Sequence, residues 1–556
     1  MDPFLYPSRR STVYSTKGIV SSSQPLASEA GLEILRLGGN AVDAAVATIA
    51  ALNVTEPSCC GIGGDAFCLF YDAKSKSVKG LNGSGRSPAA LTIEHARKTG
   101  VTGSEIPRTN LNSVTVPGAA AAWYDSVKEW GSGNVNFEQV MAPAIRLAEQ
   151  GVPTTEINSL AWQNSEGLIK SASPNAASML YQGRAPKPGE VMRFPDLANT
   201  FRLLVELGKP GFYTGPVAES IVELVNSKSG VMSLEDLAAH DTDFITPITY
   251  TYHGVTLHEC PPNGQGLTAL IALGLLTALE ERKVIRPPVE MVHNSVEYLH
   301  LLIEVLRLAF ADAQYYVADP KVQPVPVDKL LAREYLLERS KLFDPTKASP
   351  WVENGSPLHS SDTVQFAVTD KWGNGCSFIC SNYAGFGTAA IPKGCGFTLQ
   401  NRGSGFRLTE GHPNQLAPNK RPYHTIIPAI ATKGDELWLT FGCMGGFMQP
   451  QGHLQILLSM MRGFSPQAAV DAARFCISAG LPDAEVGGST AGNINSTVYF
   501  EDTLDPNMGH RVLTLKGTQR AMMGRAQVIE RVVSGDDVVW GAGSDPRADG
   551  HAAAEI

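Results

Sequence analysis

Long apolar runs are missing from this sequence. The two richest stretches, residues 41–54 (interrupted by Asp43 and Asn53) and residues 267–279, fall short of the roughly 18–20 consecutive apolar residues that a membrane-spanning helix needs. Both are expected to be buried helices. Residues 1–16 hold Pro3, Pro7, Ser8, Arg9 and Arg10 but no apolar core, which excludes a secretory signal peptide there and makes the cytoplasm the expected location. Basic stripes are missing as well. The 45 Lys and Arg against 54 Asp and Glu leave a net charge of -9, and Lys371, Lys393 and Lys420-Arg421 are scattered. They are expected to be solvated positions or local ligands rather than a nucleic-acid surface. Cysteine is sparse and odd in number, at 9 in 556 residues, so reduced thiols are expected in a chain too large to need stapling.

Metal and cofactor signatures are absent too. Cys376 and Cys380 are four apart on a predicted strand with no second Cys or His pair nearby, and His258-Glu259-Cys260 lacks the spacing of a zinc-binding helix. No metal site is expected. Gly61-x-Gly63-Gly64 lacks the Lys-Ser/Thr that completes a phosphate loop, so it reads as a tight packing turn, and no cofactor is expected. Neither an internal repeat nor a long low-complexity linker divides the chain.

What is present is compact globular material, 43% hydrophobic and 18% charged throughout. Helices rich in Ala and Leu are predicted after residue 18, broken at Gly38-Gly39, where glycine turns the backbone at low steric cost. Residues 68–81 read as a hairpin that delivers Arg86 on the following loop. Residues 116–343 read as mostly helical, with strands around 248–258 and a long helix over 290–313 carrying His293, His300 and Glu304 as surface or packing residues. Residues 344–361, with Pro345, Pro350, Gly355, Ser356 and Pro357, form a flexible-looking linker.

That linker runs directly into Asp362-Thr363. Residues 363–369 predict a strand, because β-branched and aromatic residues crowd it, and Asn374-Gly375 supplies turn chemistry that returns a second strand through Ser381. Behind it come Gly385-Phe386-Gly387-Thr388, Pro418-Asn419-Lys420-Arg421-Pro422 and Gly445-Gly446. Ahead of it stand Gly38-Gly39-Asn40-Ala41-Val42-Asp43-Ala44-Ala45, Gly61-Ile62-Gly63-Gly64-Asp65, Gly85-Arg86-Ser87-Pro88-Ala89 and Pro261-Pro262-Asn263-Gly264-Gln265-Gly266. Gly543-Ser544-Asp545-Pro546-Arg547-Ala548-Asp549-Gly550 closes the chain. In this order the series resembles the γ-glutamyltransferase superfamily of N-terminal-nucleophile hydrolases over nearly the whole length.

The resemblance implies an α+β fold, a four-layer αββα sandwich. It also implies self-cleavage between Asp362 and Thr363 into pieces 1–362 and 363–556, which stay associated as one folded unit. A threonine hydroxyl is a poor nucleophile at neutral pH, and cleavage would give Thr363 a free α-amine to serve as its own base. Ser381 falls where the family places an assisting Thr, and Tyr383 where it often has Asn. Gly445 and Gly446 match the oxyanion hole, where glycine lets N–H groups approach developing charge. Arg86 matches the position that binds a substrate carboxylate, a task suited to the guanidinium fork. His424-Thr425 occupies the place of a Ser-Ser pair, so Thr425 retains a hydroxyl and His424 does not.

The sequence departs from glutathione-cleaving members at Leu399-Gln400-Asn401-Arg402-Gly403-Ser404-Gly405-Phe406. Those members carry Gln where Arg402 stands and an Asp that grips the substrate ammonium where Gly405 stands. This Asn-Arg-Gly variant resembles the branch of cephalosporin-acylase-like and oxamate-amidase-like proteins. The activity implied is cleavage of γ-glutamyl-type amides, such as glutathione or its conjugates, through a threonyl acyl-enzyme, with water or an amine as acceptor. A non-glutamyl small-amide hydrolase and a non-catalytic scaffold are the alternatives. The expected partners are a small amide or peptide substrate and the chain's own two fragments, with neither nucleic acid nor membrane.

Overall fold

The computed structural model describes residues 10–349, 362–477, 497–501, 509–535 and 537–556. Two seven-stranded antiparallel sheets form its frame. The first runs His551–Ala554, Ile19–Ser22, Asp362–Thr369, Gly375–Tyr383, Asp65–Asp72, Ser77–Gly83 and Asp243–Ile245. The second runs Val13–Ser15, Asp537–Ser544, Ala526–Ser534, Glu436–Cys443, Ala429–Lys433, Val255–Glu259 and Ile248–Tyr252.

Side-chain alternation with period two sorts these strands into layers. Phe67, Leu69, Ala367, Ile379, Ile430, Leu437, Ile529 and Trp540 pack together between the sheets. Val364, Phe366, Val368 and Phe378 point the other way, into a core closed by helices Pro25–Arg36 and Ala41–Thr55. On the outer face of the second sheet, Leu257, Leu439 and Phe441 pack against helices Leu267–Glu281, Val296–Tyr316 and Met448–Met461. The order of layers is helix, sheet, sheet, helix, as expected.

Local chemistry fixes the elements. Helix Ala41–Thr55 begins after Gly38-Gly39 because Asn40 caps it: Asn40 Oδ1 accepts from the N–H groups of Val42 (3.0 Å) and Asp43 (3.1 Å), and Asp43 Oδ2 accepts from Asn40 N–H (3.0 Å). Every residue of that helix is buried, which its small Ala side chains permit. The reversal between Asp362–Thr369 and Gly375–Tyr383 differs from the expectation of an Asn374-Gly375 turn. The Asp370 carboxylate organises it by accepting from Trp372 N–H (2.9 Å) and Asn374 N–H (3.0 Å), and Gly375 already belongs to the strand. The long helix also starts later than expected, at Val296, because Ser295 Oγ caps it through Tyr298 N–H (3.3 Å), leaving His293 ahead of it. His300 and Glu304 are buried packing residues.

Lys420 and Arg421 are buried rather than solvated. Lys420 Nζ donates to the carbonyls of Pro413 (2.6 Å) and Gln415 (2.9 Å), and Arg421 donates to Ser84 O (2.7 Å) and pairs with Asp243, so partners offset the desolvation. Residues 350–361 of the expected linker lie outside the described residues, as do 478–496. Among the described residues no helix is long and apolar enough to cross a membrane.

Candidate active site

The site is assembled where strand ends of the two sheets face each other. Thr363 follows Asp362, whose backbone pairs with Tyr383, and a register shift between Asp362 and Val364 marks this end of the strand. Gln365 on the same strand lies against Gly442 of the second sheet, so alternation turns Thr363 toward that sheet as well. Ser381 shares the inward face of its strand with Ile379 and with Ser377, whose Oγ donates to Phe441 O (2.8 Å) across the sheets. Asp65 stands beside Ser381 in register, in line with Phe67 and Leu69. Three polar side chains therefore meet at one end of an otherwise apolar inter-sheet layer.

Thr363 Oγ1 donates to Ser381 Oγ at 3.1 Å, and both residues are buried. Ser381 Oγ also accepts from Tyr383 N–H (2.8 Å) and from Arg402 Nη2 (3.2 Å). Arg402 Nη1 donates to Thr425 Oγ1 at 2.8 Å. Gln265 Nε2 donates to the carbonyls of Thr425 (2.5 Å) and Gly446 (2.8 Å), and Gln265 Oε1 accepts from Tyr423 Oη (3.0 Å). One chain of hydrogen bonds thus links Thr363, Ser381, Arg402, Thr425 and Gly446.

Three glycines make this convergence possible. A Cβ on Gly64 would sit 2.4 Å from Ser381 O, so only glycine lets this turn close over the Ser381 strand end. Gly445 (φ 120°) and Gly446 (φ 60°) occupy the left-handed region between strand Glu436–Cys443 and helix Met448–Met461. Their carbonyls accept from Met448 N–H (3.0 Å) and Gln449 N–H (3.2 Å), which starts the helix, while among the described residues neither glycine N–H has a backbone acceptor.

His424 is paired with Asp65, its Nε2 3.0 Å from Asp65 Oδ2, and both are buried. Ile426 N–H donates to His424 Nδ1 (3.3 Å), so the ring proton sits on Nε2 and is given to the carboxylate. Burial, reinforced by the cations Arg402 and Arg421, holds the imidazole well below its ordinary range, so the ring is neutral. Burial pushes the Asp65 carboxyl up to about 7, although Arg402 and the amides of Gly85 and Gly118 act in the opposite direction. Burial lowers the Arg402 guanidinium to about 10, against the attraction of Asp65.

Tyr383 adopts φ 77° and lies under Arg402, whose guanidinium carbon is 4.2 Å from the ring centroid. Arg402 Nε and Tyr383 Oη are buried without a hydrogen-bond partner among the described residues. Arg86 stands apart from this chain. Its Nη1 donates to Asp319 Oδ2 (2.6 Å) and Asn419 O (3.0 Å), and it lines a groove of about 250 Å³ with Ser87, Asp236 and His240. Its neighbour Gly85 connects it to the centre, donating to Asp65 Oδ1 (3.0 Å).

Sequence reasoning assigned no role to Asp65 or Gln265, although each lies within a quoted motif. An acid after the glycine cluster, matched by His in place of a hydroxyl residue at 424, was the available signal. The nine cysteines are buried free thiols, with Cys68 Sγ and Cys376 Sγ 3.4 Å apart.

Two stacked antiparallel sheets between helical layers, with a threonine at the head of an inner strand, define the class of N-terminal-nucleophile hydrolases. The family model described as gamma-glutamyltranspeptidase matches residues 27–555, and the chain belongs to that family of self-processing amidases. It is 34% identical over 549 residues to the glutathione hydrolase-like YwrD proenzyme of Bacillus subtilis (97% of this chain, 99% of the relative). It is 30% identical over 550 residues to the oxamate amidohydrolase proenzyme of Klebsiella pneumoniae (97% and 98%). A crystal structure of cephalosporin acylase from Bacillus halodurans superposes with a TM-score of 0.87 at 38% identity, covering 99% of this chain and 98% of that one.

Proposed function

We propose that Thr363 is the nucleophile of this amidase, and that the chain matures by cutting itself between Asp362 and Thr363. The carrying observation is the 3.1 Å bond from Thr363 Oγ1 to Ser381 Oγ, with Arg402 Nη2 at 3.2 Å from the same oxygen. In maturation Thr363 Oγ attacks the Asp362 carbonyl carbon, the peptide C–N bond breaks, and an ester forms with the freed amine. Water then hydrolyses the ester, leaving an Asp362 carboxylate and the Thr363 α-amine. Pieces 1–362 and 363–556 stay together because each sheet draws strands from both.

In turnover the α-amine takes the Oγ proton, and Oγ attacks the substrate amide carbonyl. The tetrahedral oxyanion faces the N–H groups of Gly445 and Gly446, the protonated amine leaves, and water or an amine removes the acyl group from Thr363. The substrates are small acyl amides of the γ-glutamyl type. A second reading has its own support: Gly405 stands where an ammonium-binding acid would be needed, the buried Arg402 guanidinium adds a cation nearby, and among the described residues Arg402 Nε and Tyr383 Oη are without partners. These features favour acyl groups ending in a carboxylate or carbonyl, as in the Asn-Arg-Gly branch of cephalosporin-acylase-like and oxamate-amidase-like proteins.

Denaturing electrophoresis of the purified protein tests the reading. The native protein should give two pieces, the smaller beginning at Thr363, and Thr363→Ala a single piece of 59.3 kDa. An active native protein that stays uncut sinks it.

A further inference from the structure

We infer that Asp65 and His424 form a positioning pair, with Asp65 the buried counter-ion that keeps the Arg402 guanidinium charged and aimed at Ser381 Oγ. The activity part of this inference rests on the Thr363 reading; the charge pairing does not. Asp65 and Ser381 are register neighbours on adjacent strands. His424 adjoins Thr425, whose Oγ1 accepts from Arg402. The Asp65–His424 bond therefore joins the first sheet to the second-sheet segment that holds the other end of the guanidinium.

The charges around this pair leave few alternatives. Facing Asp65 are His424, Arg402, Arg421, Tyr213 and the amides of Gly85 and Gly118. Arg421 already has a counter-ion in Asp243. His424, packed on the Phe67 ring at 4.8 Å, is neutral and donates its single proton to Asp65. Arg402 is faced by Asp65, Tyr383 and Arg108. Tyr383, held neutral by burial, offers a ring face rather than a charge, and Arg108 is itself a cation. Among the described residues, Asp65 is the carboxylate left to balance Arg402. A buried charge stripped of its counter-ion is more damaging than the loss of both partners together.

This makes a double-mutant cycle decisive. Asp65→Asn and Arg402→Gln should each slow self-cleavage at pH 8, Asp65→Asn by at least about tenfold, because each strands one buried charge. The double variant Asp65→Asn/Arg402→Gln should recover to within about threefold of Arg402→Gln alone. In Asp65→Asn the alkaline limb of self-cleavage should move to lower pH, since the guanidinium loses the charge that sustains it. A role confined to packing would leave that limb in place.

Urea unfolding supplies a readout independent of catalysis. Arg402→Gln should lose stability more steeply than the native chain as pH rises from 5 to 8, because Asp65 must then ionise without a counter-ion. The double variant should not. This arm needs no folded Asp65→Asn single variant and holds whichever residue is the nucleophile. Additive effects in the cycle, or the same pH slope in Arg402→Gln as in the native chain, overturn the pairing. Thr363→Ala that still cuts itself overturns the nucleophile reading and leaves the unfolding result standing.

Discussion

The Arg402 guanidinium lies over the Tyr383 ring, 4.2 Å from its centroid, and both side chains are buried at the strand end that carries Thr363. Tyr383 reaches that place through φ 77°, a conformation a side-chain-bearing residue adopts only when its surroundings enforce it. Among the described residues its Oη is buried without a partner, so Tyr383→Phe keeps the stacking and removes a hydroxyl that donates to none of them. If that hydroxyl serves the substrate, kcat/KM should fall about fivefold to tenfold, the equivalent of one hydrogen bond, with unchanged self-cleavage and thermal stability. Unaltered kinetics would show that the hydroxyl is idle.

Discrimination in favour of a substrate ammonium should be weak. Gly405 offers no acid and Arg402 is a buried cation, so the local field opposes an ammonium. Losing the acidic partner forfeits about 1.5–3 kcal/mol of charge-assisted bonding, which removes most of the preference for a γ-glutamyl over a glutaryl anilide. The two kcat/KM values should be measured side by side on processed enzyme. A γ-glutamyl preference above about a hundredfold would mean that another acid serves the ammonium.

Arg86 donates to Asp319 and Asn419 through Nη1, and the residue lines the groove. Arg86→Ala should weaken use of carboxylate-bearing substrates by roughly tenfold to a hundredfold, chiefly through KM, while self-cleavage survives. Failure of the variant to fold or to cut itself would make the Asp319 ion pair its purpose.

Acid stability should depend on a second buried network. Glu501 is paired with Arg547 and Arg520, and Asp545 with Arg547 and Arg474. Burial alone would raise Glu501, but Arg547 and Arg474 outweigh it and hold the carboxyl at about 2. A carboxyl depressed from its usual 4.5 contributes stability above that value, and the contribution is lost as pH falls toward 2. From this shift it is on the order of 3 kcal/mol. Urea unfolding at pH 7 and pH 3 should show Glu501→Gln to be less stable at pH 7 and flatter with pH. An equally steep acid loss in the variant would assign it to other carboxyls.

Individual elements were legible because the physics that sets them is local, whereas the four-layer arrangement was implied by the family resemblance. The β-branched and aromatic crowding of residues 363–369, the Gly38-Gly39 break and the Ala-rich buried helix all follow from residue type and spacing. The order of motifs pointed to the family. Thr363, Ser381, Gly445, Gly446 and Thr425 could be named from that order, since each occupies a motif position.

What the tertiary structure alone decided is which charges meet. Asp65 and His424 are 359 residues apart, and His424 is named in the sequence only as a missing hydroxyl. Arg402 reads there as a positive charge in a pocket, whereas in the fold it is buried, bonded to Ser381 and Thr425 and faced by Asp65. Lys420 and Arg421 read as solvated positions or local ligands because a sequence shows a cation but not the carbonyls and carboxylate that stabilise it when buried. Periodicity and propensity are properties of neighbouring residues, and a sequence states them directly. Compensation of a buried charge depends on groups brought together by chain closure over hundreds of residues, and only the packed sheets supply it.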